Sequence, residues 1–562
     1  MNIPERAILT ELLGELERTA PEQIALIFQQ REDDYPVSYR ELVDRSSAFS
    51  YALKQAGINE GEPVIIILEH SIELVFAFFG AVLHGAIPAI MPFLTEKLSP
   101  TRYRQSLASL IEITKPAAIM TYSDFRDEIE VLQQNGSPVR AVIYVEDELN
   151  NDKWTWEDLG GTHREPTDIV VLQHSSGTTG LQKGVALSHQ AVINQLRSYA
   201  EALTLEEDDV VVSWLPLYHD MGLIAGFILP ILLGIPLVLM SPFDWVRAPH
   251  RLMQAVSKYK GTLSWLPNFA YNFCATKIRD RDLEGVDLST WRAVINCSEP
   301  MRYESQEMFA DRFAKYGLER SALATCYAMA ENVFAVTQGG IDQPVRVDEV
   351  SGISLSSHGT AVPVKDGERA VQMLSAGRPI SNTQVKIIDP KGDELPERTI
   401  GEIVLRGDSL LTEYYRRPDL TAQAFIDGWY KTGDLGYLYN DELFITGREK
   451  ELIIVGGKNI YPQDLEALVY EVQGVYPGRA VAFGIDNPAL GTEDVVIVAE
   501  VQEGEDLELY TLSKDIRSAI AEGSDVTARY VQLVERGWLI KTSSGKNARN
   551  ANKEKYLLEF GS

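Results

Sequence analysis

The sequence predicts an α/β fold: a large N-terminal domain of mostly parallel sheets covered by helices, with a β-rich subdomain, followed by a small mobile C-terminal α/β domain. Three observations carry this. Apolar runs of strand length alternate with helix-periodic segments through the first half of the chain. Past residue 380 the texture changes to short alternating strands. At 562 residues the chain is also longer than one ordinary core sustains.

Between residues 38 and 95, "YRELVDRSSAFSYALKQAG" has helical periodicity, "PVIIIL" reads as a strand, "SIELVFAFFGAVLHGA" as a helix and "IPAIMPF" as a strand. That is the order of a βαβ unit, which a parallel sheet requires. "PAAIMTY", "RAVIYVED" and "DIVVLQ" continue the series. The run 221–240, "MGLIAGFILPILLGIPLVLM", has the length of a membrane span, but Pro230, Gly234 and Pro236 instead predict a buried helix ending near Gly234 and a strand "PLVLM". "TQVKIID", "GEIVLRG" and "DELFITG" make the β-rich subdomain. Then "GREKELIIVGGKNIYPQDLEALV" reads as turn, strand, glycine turn and a helix opened by proline. "RAVAFGID", "DVVIVAEVQ" and a helix near 511–522 complete the small domain. The boundary falls at the Gly447–Lys450 turn, giving domains 1–449 and 450–562.

With 81 acidic against 52 basic residues, a net charge of −29, the chain is not built to bind nucleic acid, whose phosphates need a basic face. Cys274, Cys297 and Cys326 lie far apart, which predicts neither a zinc site nor a disulfide framework and suits a reducing cytosol. The N-terminus has no apolar signal core, so a cytoplasmic location without membrane insertion is expected.

Against this background "SSGTTGLQKG", 175–184, stands out. Glycines let backbone N–H groups crowd round an anion, hydroxyls add donors and a lysine adds positive charge, so a polyphosphate is the natural ligand. It is not a P-loop: counting from Gly177 puts Gln182 where the second glycine belongs. Taken alone, such a loop is more often a plain surface turn.

The loop is joined, in order, by "LPLYHDMG", "NCSEP", "CYAMAENVF", "GWYKTGDLG", "GREKELIIVGGKNIYPQDLE" and "KTSSGKNARN". Together they resemble the core motifs of the adenylate-forming enzymes: acyl-CoA synthetases, adenylation domains, luciferases and fatty acyl-AMP ligases. The resemblance runs from about residue 38 to the C-terminus. It implies that ATP and Mg²⁺ are used to turn a carboxylic acid into an acyl-adenylate. Ser175, Ser176, Gly177, Thr178, Thr179, Gly180 and Lys183 match the residues that hold the pyrophosphate end of ATP. Ser298, Glu299, Pro300, Tyr327, Ala328, Met329 and Ala330 match the adenine site, Tyr327 being the stacking aromatic. Asp434 and Arg448 match the ribose contacts, and Glu331 the carboxylate that binds Mg²⁺. Lys546 matches the lysine that bridges the acid and the α-phosphate, and Lys450 the hinge about which the small domain turns. His219 and Asp220, with Trp265, Cys297 and Ala328, match positions that line the acid's pocket.

"LPLYHDMGLI", "PNFAYNFC", "KNIYPQDLE" and Ala330 are most similar to the fatty acyl-AMP ligase branch, as is a long stretch between Glu331 and "SAGRP" that looks like that branch's insertion. In that branch the insertion restrains the C-terminal domain and disfavours coenzyme A. The resemblance therefore implies transfer of the acyl group to the phosphopantetheine thiol of an acyl carrier protein acting in trans, with coenzyme A as the alternative acceptor. A basic stretch, "VRAPHRLMQAVSKYKG", is a candidate docking face for an acidic carrier. The chain departs from the branch at Trp265, Cys297 and Ala328, each larger than the usual glycine, and this predicts a compact acid.

Overall fold

The computed structural model describes residues 6–30, 33–93, 100–132, 137–147, 154–175, 183–341, 343–368, 370–455, 458–487, 492–502, 509–524, 526–542 and 545–560. The βαβ unit is present as Pro63–Ile67, helix Ile72–His84 and Ile87–Ile90, within an all-parallel four-stranded sheet that also takes Ala118–Thr121 and Ala141–Tyr144. The Ile72–His84 helix is apolar on every face and buried throughout, so it lies between layers, not on a surface. It crosses helix Tyr39–Gln55 closely: a side chain at Gly80 would collide with Phe49.

A second, nine-stranded sheet holds the remaining parallel strands. In spatial order Leu323–Ala328, Ala293–Asn296, Leu263–Leu266, Val211–Ser213, Leu237–Leu239 and Ile24–Phe28 run parallel, with antiparallel strands at both edges. The expected parallel architecture is thus divided between two sheets. A third sheet departs from the expectation: Ile169–Ser175 pairs antiparallel with Lys183–Ser188, which pairs antiparallel with Glu413–Tyr414. The glycine-rich stretch therefore joins two arms of a hairpin, and Ser175 and Lys183 sit opposite each other at the ends of those arms.

The apolar run from 221 is buried, as predicted, but its first part, Met221–Ile228, is a π-helix before a short α-turn, Leu229–Leu232. Pro230 has no N–H to give the preceding turn, and the Leu229 N–H reaches back five residues to Ile224. Gly234 follows with φ +75° and Leu237–Leu239 is the strand. Among the described residues no helix is long and apolar enough to cross a membrane.

The β-rich subdomain is an antiparallel sheet of Thr383–Ile388, Gly401–Gly407, Trp429–Tyr439, Phe425–Ile426 and Glu442–Arg448. The stretch resembling an insertion contains a hairpin, Val347–Ser351 with Ala370–Leu374. It is fastened to the subdomain by Asp348, which accepts from Arg398 Nη2 at 2.9 Å and from the Tyr437 hydroxyl at 2.8 Å. The turn Ser354–His358 between those strands packs against strand Lys458–Ile460.

From Ile453 onward the apolar residues form clusters of their own. They lie around the sheet of Val475–Asn487, Thr492–Val501 and Ala528–Val534 and helices Pro462–Tyr470, Leu509–Gly523 and Arg549–Phe560. "IIVGGKNIY" holds two short strands, Ile453–Val455 and Lys458–Ile460, where the sequence predicts one. This part meets the rest through Arg302, whose Nη2 donates to the Gln463 carbonyl at 2.6 Å, and through the Tyr461 ring, which packs so closely on Gly447 that only glycine fits there.

Candidate functional site

In open α/β sheets ligands gather at the carboxyl ends of the parallel strands, and the motifs fall there. Val211–Ser213 leads to His219 and Asp220, and Leu263–Leu266 carries Trp265. Ala293–Asn296 leads to Cys297, Ser298, Glu299 and Pro300; Leu323–Ala328 carries Tyr327 and leads to Glu331. Four neighbouring strands thus bring together motifs separated by more than a hundred residues in sequence.

Asp220 caps the π-helix: its carboxylate accepts from the Met221 N–H at 2.8 Å and lies 2.6 Å from His219 Nδ1. Burial alone would raise this carboxyl's pKa. The His219 imidazole and the Lys546 ammonium outweigh burial, and the group stays below the usual value. Lys546, in the C-terminal part, is thus among the charges that act on this carboxyl. Its loop is a tight turn, with the Thr542 N–H donating to the Lys546 carbonyl at 2.8 Å and the Lys546 N–H to the Thr542 hydroxyl at 3.1 Å. Beyond it Arg549 pairs with Glu466 at 2.7 Å and with Glu451, beside Lys450, so the lysine loop and the turn Glu449–Glu451 are tied together. Lys450 is exposed on that turn.

A second group lies where the β-rich sheet meets the strand ends. Asp434 and Arg448 are cross-strand partners, and Arg448 Nε donates to Asp434 Oδ1 at 3.0 Å. The Tyr327 hydroxyl donates to Asp434 Oδ2 at 2.6 Å. Burial and the neighbouring carboxylate hold the Tyr327 phenol well above its ordinary pKa, so it remains a donor. Ala328 and Met329 are half-buried next to it, and Ala330 opens the turn Ala330–Asn332. Ser298, at φ +69°, and Val333, at φ +61°, are the strained residues closest to this group, a backbone cost that sites of function commonly carry.

Glu331 and Lys183 are joined by Tyr414. Its hydroxyl donates to Glu331 Oε1 at 2.9 Å, and Lys183 Nζ lies 4.7 Å over its ring. Burial raises the Glu331 carboxyl's pKa, and the hydrogen bond from Tyr414 offsets part of that. A buried carboxylate held at such a cost is one that a divalent cation would relieve, and its hard oxygens suit Mg²⁺. Nothing around Tyr414 in "LTEYYRR" marks it in sequence. The signal is its place on a strand paired with the one that begins at Lys183.

Trp265 is 1% exposed and its Nε1 donates to the Tyr199 hydroxyl at 2.7 Å. Cys297 is buried beside Ser298, whose hydroxyl lies 3.7 Å from Met221 Sδ. Glu299 turns outward and caps another helix, accepting from the Phe269 N–H at 2.9 Å, and Pro300 is exposed. Ser176, Gly177, Thr178, Thr179 and Gly180, together with the Ser175 side chain, lie outside the described residues. The candidate docking stretch is helix His250–Tyr259; Lys258 pairs with Asp34 at 2.6 Å and Arg251 donates to the Gln30 carbonyl at 2.8 Å, so much of its charge is used within the fold.

Polar groups gathered at the ends of parallel strands are where nucleotide-handling α/β enzymes hold their ligands. A family described as "AMP-binding enzyme" matches residues 15–415, and the chain belongs to it. It is 32% identical to a 4-hydroxyphenylalkanoate adenylyltransferase of Mycobacterium tuberculosis, over 89% of this chain and 83% of the relative. It is 30% identical to the medium-chain-fatty-acid–[acyl-carrier-protein] ligase JamA of Moorena producens, over 99% and 96%. A solved structure from work on fatty acyl-adenylate ligases of E. coli and L. pneumophila superposes with a TM-score of 0.89 at 27% identity, covering 99% of this chain and 98% of that one. These likenesses bear out the resemblance to the fatty acyl-AMP ligase branch.

Proposed function

We propose that the protein activates a carboxylic acid with ATP to give acyl-AMP and pyrophosphate, and then passes the acyl group to the phosphopantetheine thiol of a separate carrier protein. The observation that carries the reading is the set of polar groups gathered at one edge of the strand ends, Asp220 with His219, Tyr327 with Asp434 and Arg448, and Glu331 with Tyr414.

The acid's carboxylate attacks the α-phosphorus in line, its oxygen forms the new P–O bond, and pyrophosphate leaves with the electrons of the old one. No covalent nucleophile is needed, so the protein's work is positioning and charge neutralisation. Lys546 neutralises the charge that develops between carboxylate and α-phosphate, and Asp220 fixes the orientation of the His219 ring through Nδ1. Asp434 receives the ribose hydroxyls, Tyr327 stacks on adenine and Lys183 faces the β- and γ-phosphates. Glu331 would hold Mg²⁺, which neutralises phosphate oxygens when bound. Turning of the segment from 450 onward about Lys450 then replaces Lys546 with a face for the thiol step. We place the division between domains at that residue. Three buried, unbridged cysteines suit a cytoplasmic enzyme.

Support for a carrier over coenzyme A comes from the hairpin Val347–Ser351/Ala370–Leu374, whose connecting turn lies against Lys458–Ile460 and restrains the moving part. The name of JamA points the same way. The test is ATP–pyrophosphate exchange with a panel of acids, followed by acyl transfer to a phosphopantetheinylated carrier or to coenzyme A. Acid-dependent exchange with carrier acylation is expected. Absence of exchange overturns the reading, and fast acyl-CoA formation replaces the acceptor.

A further inference from the structure

The start of helix Pro462–Tyr470 is held by the large part of the chain from two sides. On one, Gln463 Nε2 donates to the Thr446 carbonyl at 2.9 Å and the neighbouring Tyr461 ring lies against Gly447. Thr446 and Gly447 stand just before Lys450, so a hold at this side alone would leave the helix free to swivel. On the other, Arg302 Nη2 donates to the Gln463 carbonyl at 2.6 Å and stands 3.6 Å from the Asp464 carboxylate. This second hold comes from a separate element, the residue before helix Tyr303–Phe313, and it fixes the helix in one direction.

Both ends of the Arg302 contact are braced. The Arg302 N–H donates to Asn268 Oδ1 at 3.0 Å, and the same oxygen accepts from Asn296 Nδ2 at 3.0 Å, so one buried amide brackets the segment 297–301. Asn268 Nδ2 donates to the Ser305 hydroxyl at 3.1 Å, which keeps that amide from turning. At the other end Glu466 lies one turn along the helix from Gln463. It is buried and takes Arg549 through both oxygens, from Nε at 2.8 Å and from Nη2 at 2.7 Å. Arg549 is three residues past Lys546. Contacts thus run from the segment 297–301 through Arg302 and one helical turn to the lysine's loop. Arg549 and its partners Glu451 and Glu466 all belong to the segment from 450 onward and travel together, whereas the Arg302 bond crosses the division. That bond can also part cleanly. The Arg302 side chain is 32% exposed and its acceptor is a neutral carbonyl, so separation rehydrates the guanidinium and strands no buried charge.

We propose that Arg302 is a positioning residue for adenylation: through the first turn of helix Pro462–Tyr470 it sets where the loop of Lys546 stands relative to the segment 297–301, and it lets go when the segment from 450 onward turns for the thiol step. The inference rests on the adenylate-forming reading and deepens it by naming the contact that chooses between the two half-reactions. Losing that contact lowers the share of molecules arranged for adenylation without touching the groups that hold ATP.

The experiment measures both half-reactions of the full chain for the wild type, Arg302→Met, Arg302→Lys, Glu466→Gln and the control Arg320→Met, whose pairs with Glu307 and Asp311 lie within the large part. Adenylation is read as pyrophosphate exchange with the acid that the wild type exchanges fastest. Transfer is read as single-turnover acylation of a phosphopantetheinylated carrier and of coenzyme A from acyl-adenylate supplied ready-made. In Arg302→Met the kcat of exchange should fall about tenfold with the KM for ATP unchanged, while transfer runs at the wild-type rate or faster. Arg302→Lys, which can still donate to the carbonyl, should recover most of the exchange, and Arg320→Met should match the wild type. Glu466→Gln weakens the next link and should show the same split as Arg302→Met; it decides alone should that variant not fold. A merely structural role, acting by displacing the segment 297–301, would raise the KM for ATP and slow both half-reactions together. That result, unchanged exchange in Arg302→Met, or slowed transfer with exchange spared, would overturn the proposal. A wild type that exchanges no acid overturns the adenylate-forming reading, and one that exchanges but acylates neither thiol overturns the turn about Lys450. Both are distinct from a wild type that completes both steps and a variant that shows no split.

Discussion

Lys546, three residues before the last helix, lies close enough to Asp220, which caps the π-helix of the large sheet, for its ammonium to help keep that buried carboxyl ionised. Arg549 ties the lysine's loop to the Glu449–Glu451 turn. In the proposed reading this is the arrangement that serves the adenylation step.

Lys546→Ala should accordingly lower pyrophosphate exchange about a hundred- to thousandfold, the range found when one preorganised charge partner is lost. Lys450→Pro should leave exchange near the wild-type rate and reduce carrier acylation, because it stiffens the turn without touching the phosphate side. Exchange assays on the two variants, with acyl transfer measured separately, check the contrast.

Glu331→Gln should separate stability from function. Burial raises the Glu331 pKa, so the folded state holds this proton more tightly than the unfolded chain does. The native ionised group therefore costs stability above its folded pKa and nothing below its unfolded one. Glutamine removes that cost and can still accept from Tyr414. The variant should melt a few degrees higher at pH 8, with the gain shrinking as pH falls toward 4, and should lose exchange. Thermal melts across that range give the answer.

Three histidines, His189 buried and His70 and His174 half-buried, predict acid lability. Burial lowers His70 and His189 to about 3 and His174 to about 4. His189 also accepts the Leu9 N–H through Nδ1 at 3.1 Å, which requires the neutral ring. The unfolded chain protonates these groups near pH 6.5, so each contributes stability above that value, and the contribution is lost as pH falls toward the folded pKa. The slope should be about 1 kcal/mol per pH unit for each group. Denaturant midpoints at pH 7.5 and 5.5 should differ accordingly, and His189→Gln should reduce the difference.

Asp348→Ala removes the carboxylate that fastens the hairpin to Arg398 and Tyr437. The Arg398 charge is left partly buried and unpaired, at a cost of about 3 kcal/mol. With the hairpin loosened, the acyl-CoA side reaction should increase relative to carrier acylation while exchange persists. Product ratios with both thiols present measure it.

Much of this was legible in the sequence where one segment carries its own signal. Pro63–Ile67 is a run of branched apolar residues bounded by turns, and the ordered motifs single out His219, Glu331, Asp434 and Lys546 as candidates without a structure. Long-range pairing is what the sequence hides. Tyr414 and Tyr199 have no motif and are placed by partners far along the chain, Lys183 and Glu331 for one, Trp265 and Gln338 for the other. The glycine-rich stretch read as a loop after a strand, because nothing local to it shows that the strand returns antiparallel to make a hairpin. The π-winding of Met221–Ile228 likewise has no local signal, and the proline beyond it marks only where a helix breaks.

The Tyr327–Asp434 hydrogen bond fixes the pocket's acceptor in advance. Each carboxylate oxygen has one donor, Tyr327 on one and Arg448 on the other, and each keeps a further lone pair to offer. In the proposed reading a vicinal diol meets two oxygens already held in position and donates to both, whereas a 2′-deoxynucleotide leaves one of them unused. The proposed site thereby has a means of telling ATP from dATP that no contact to the base supplies.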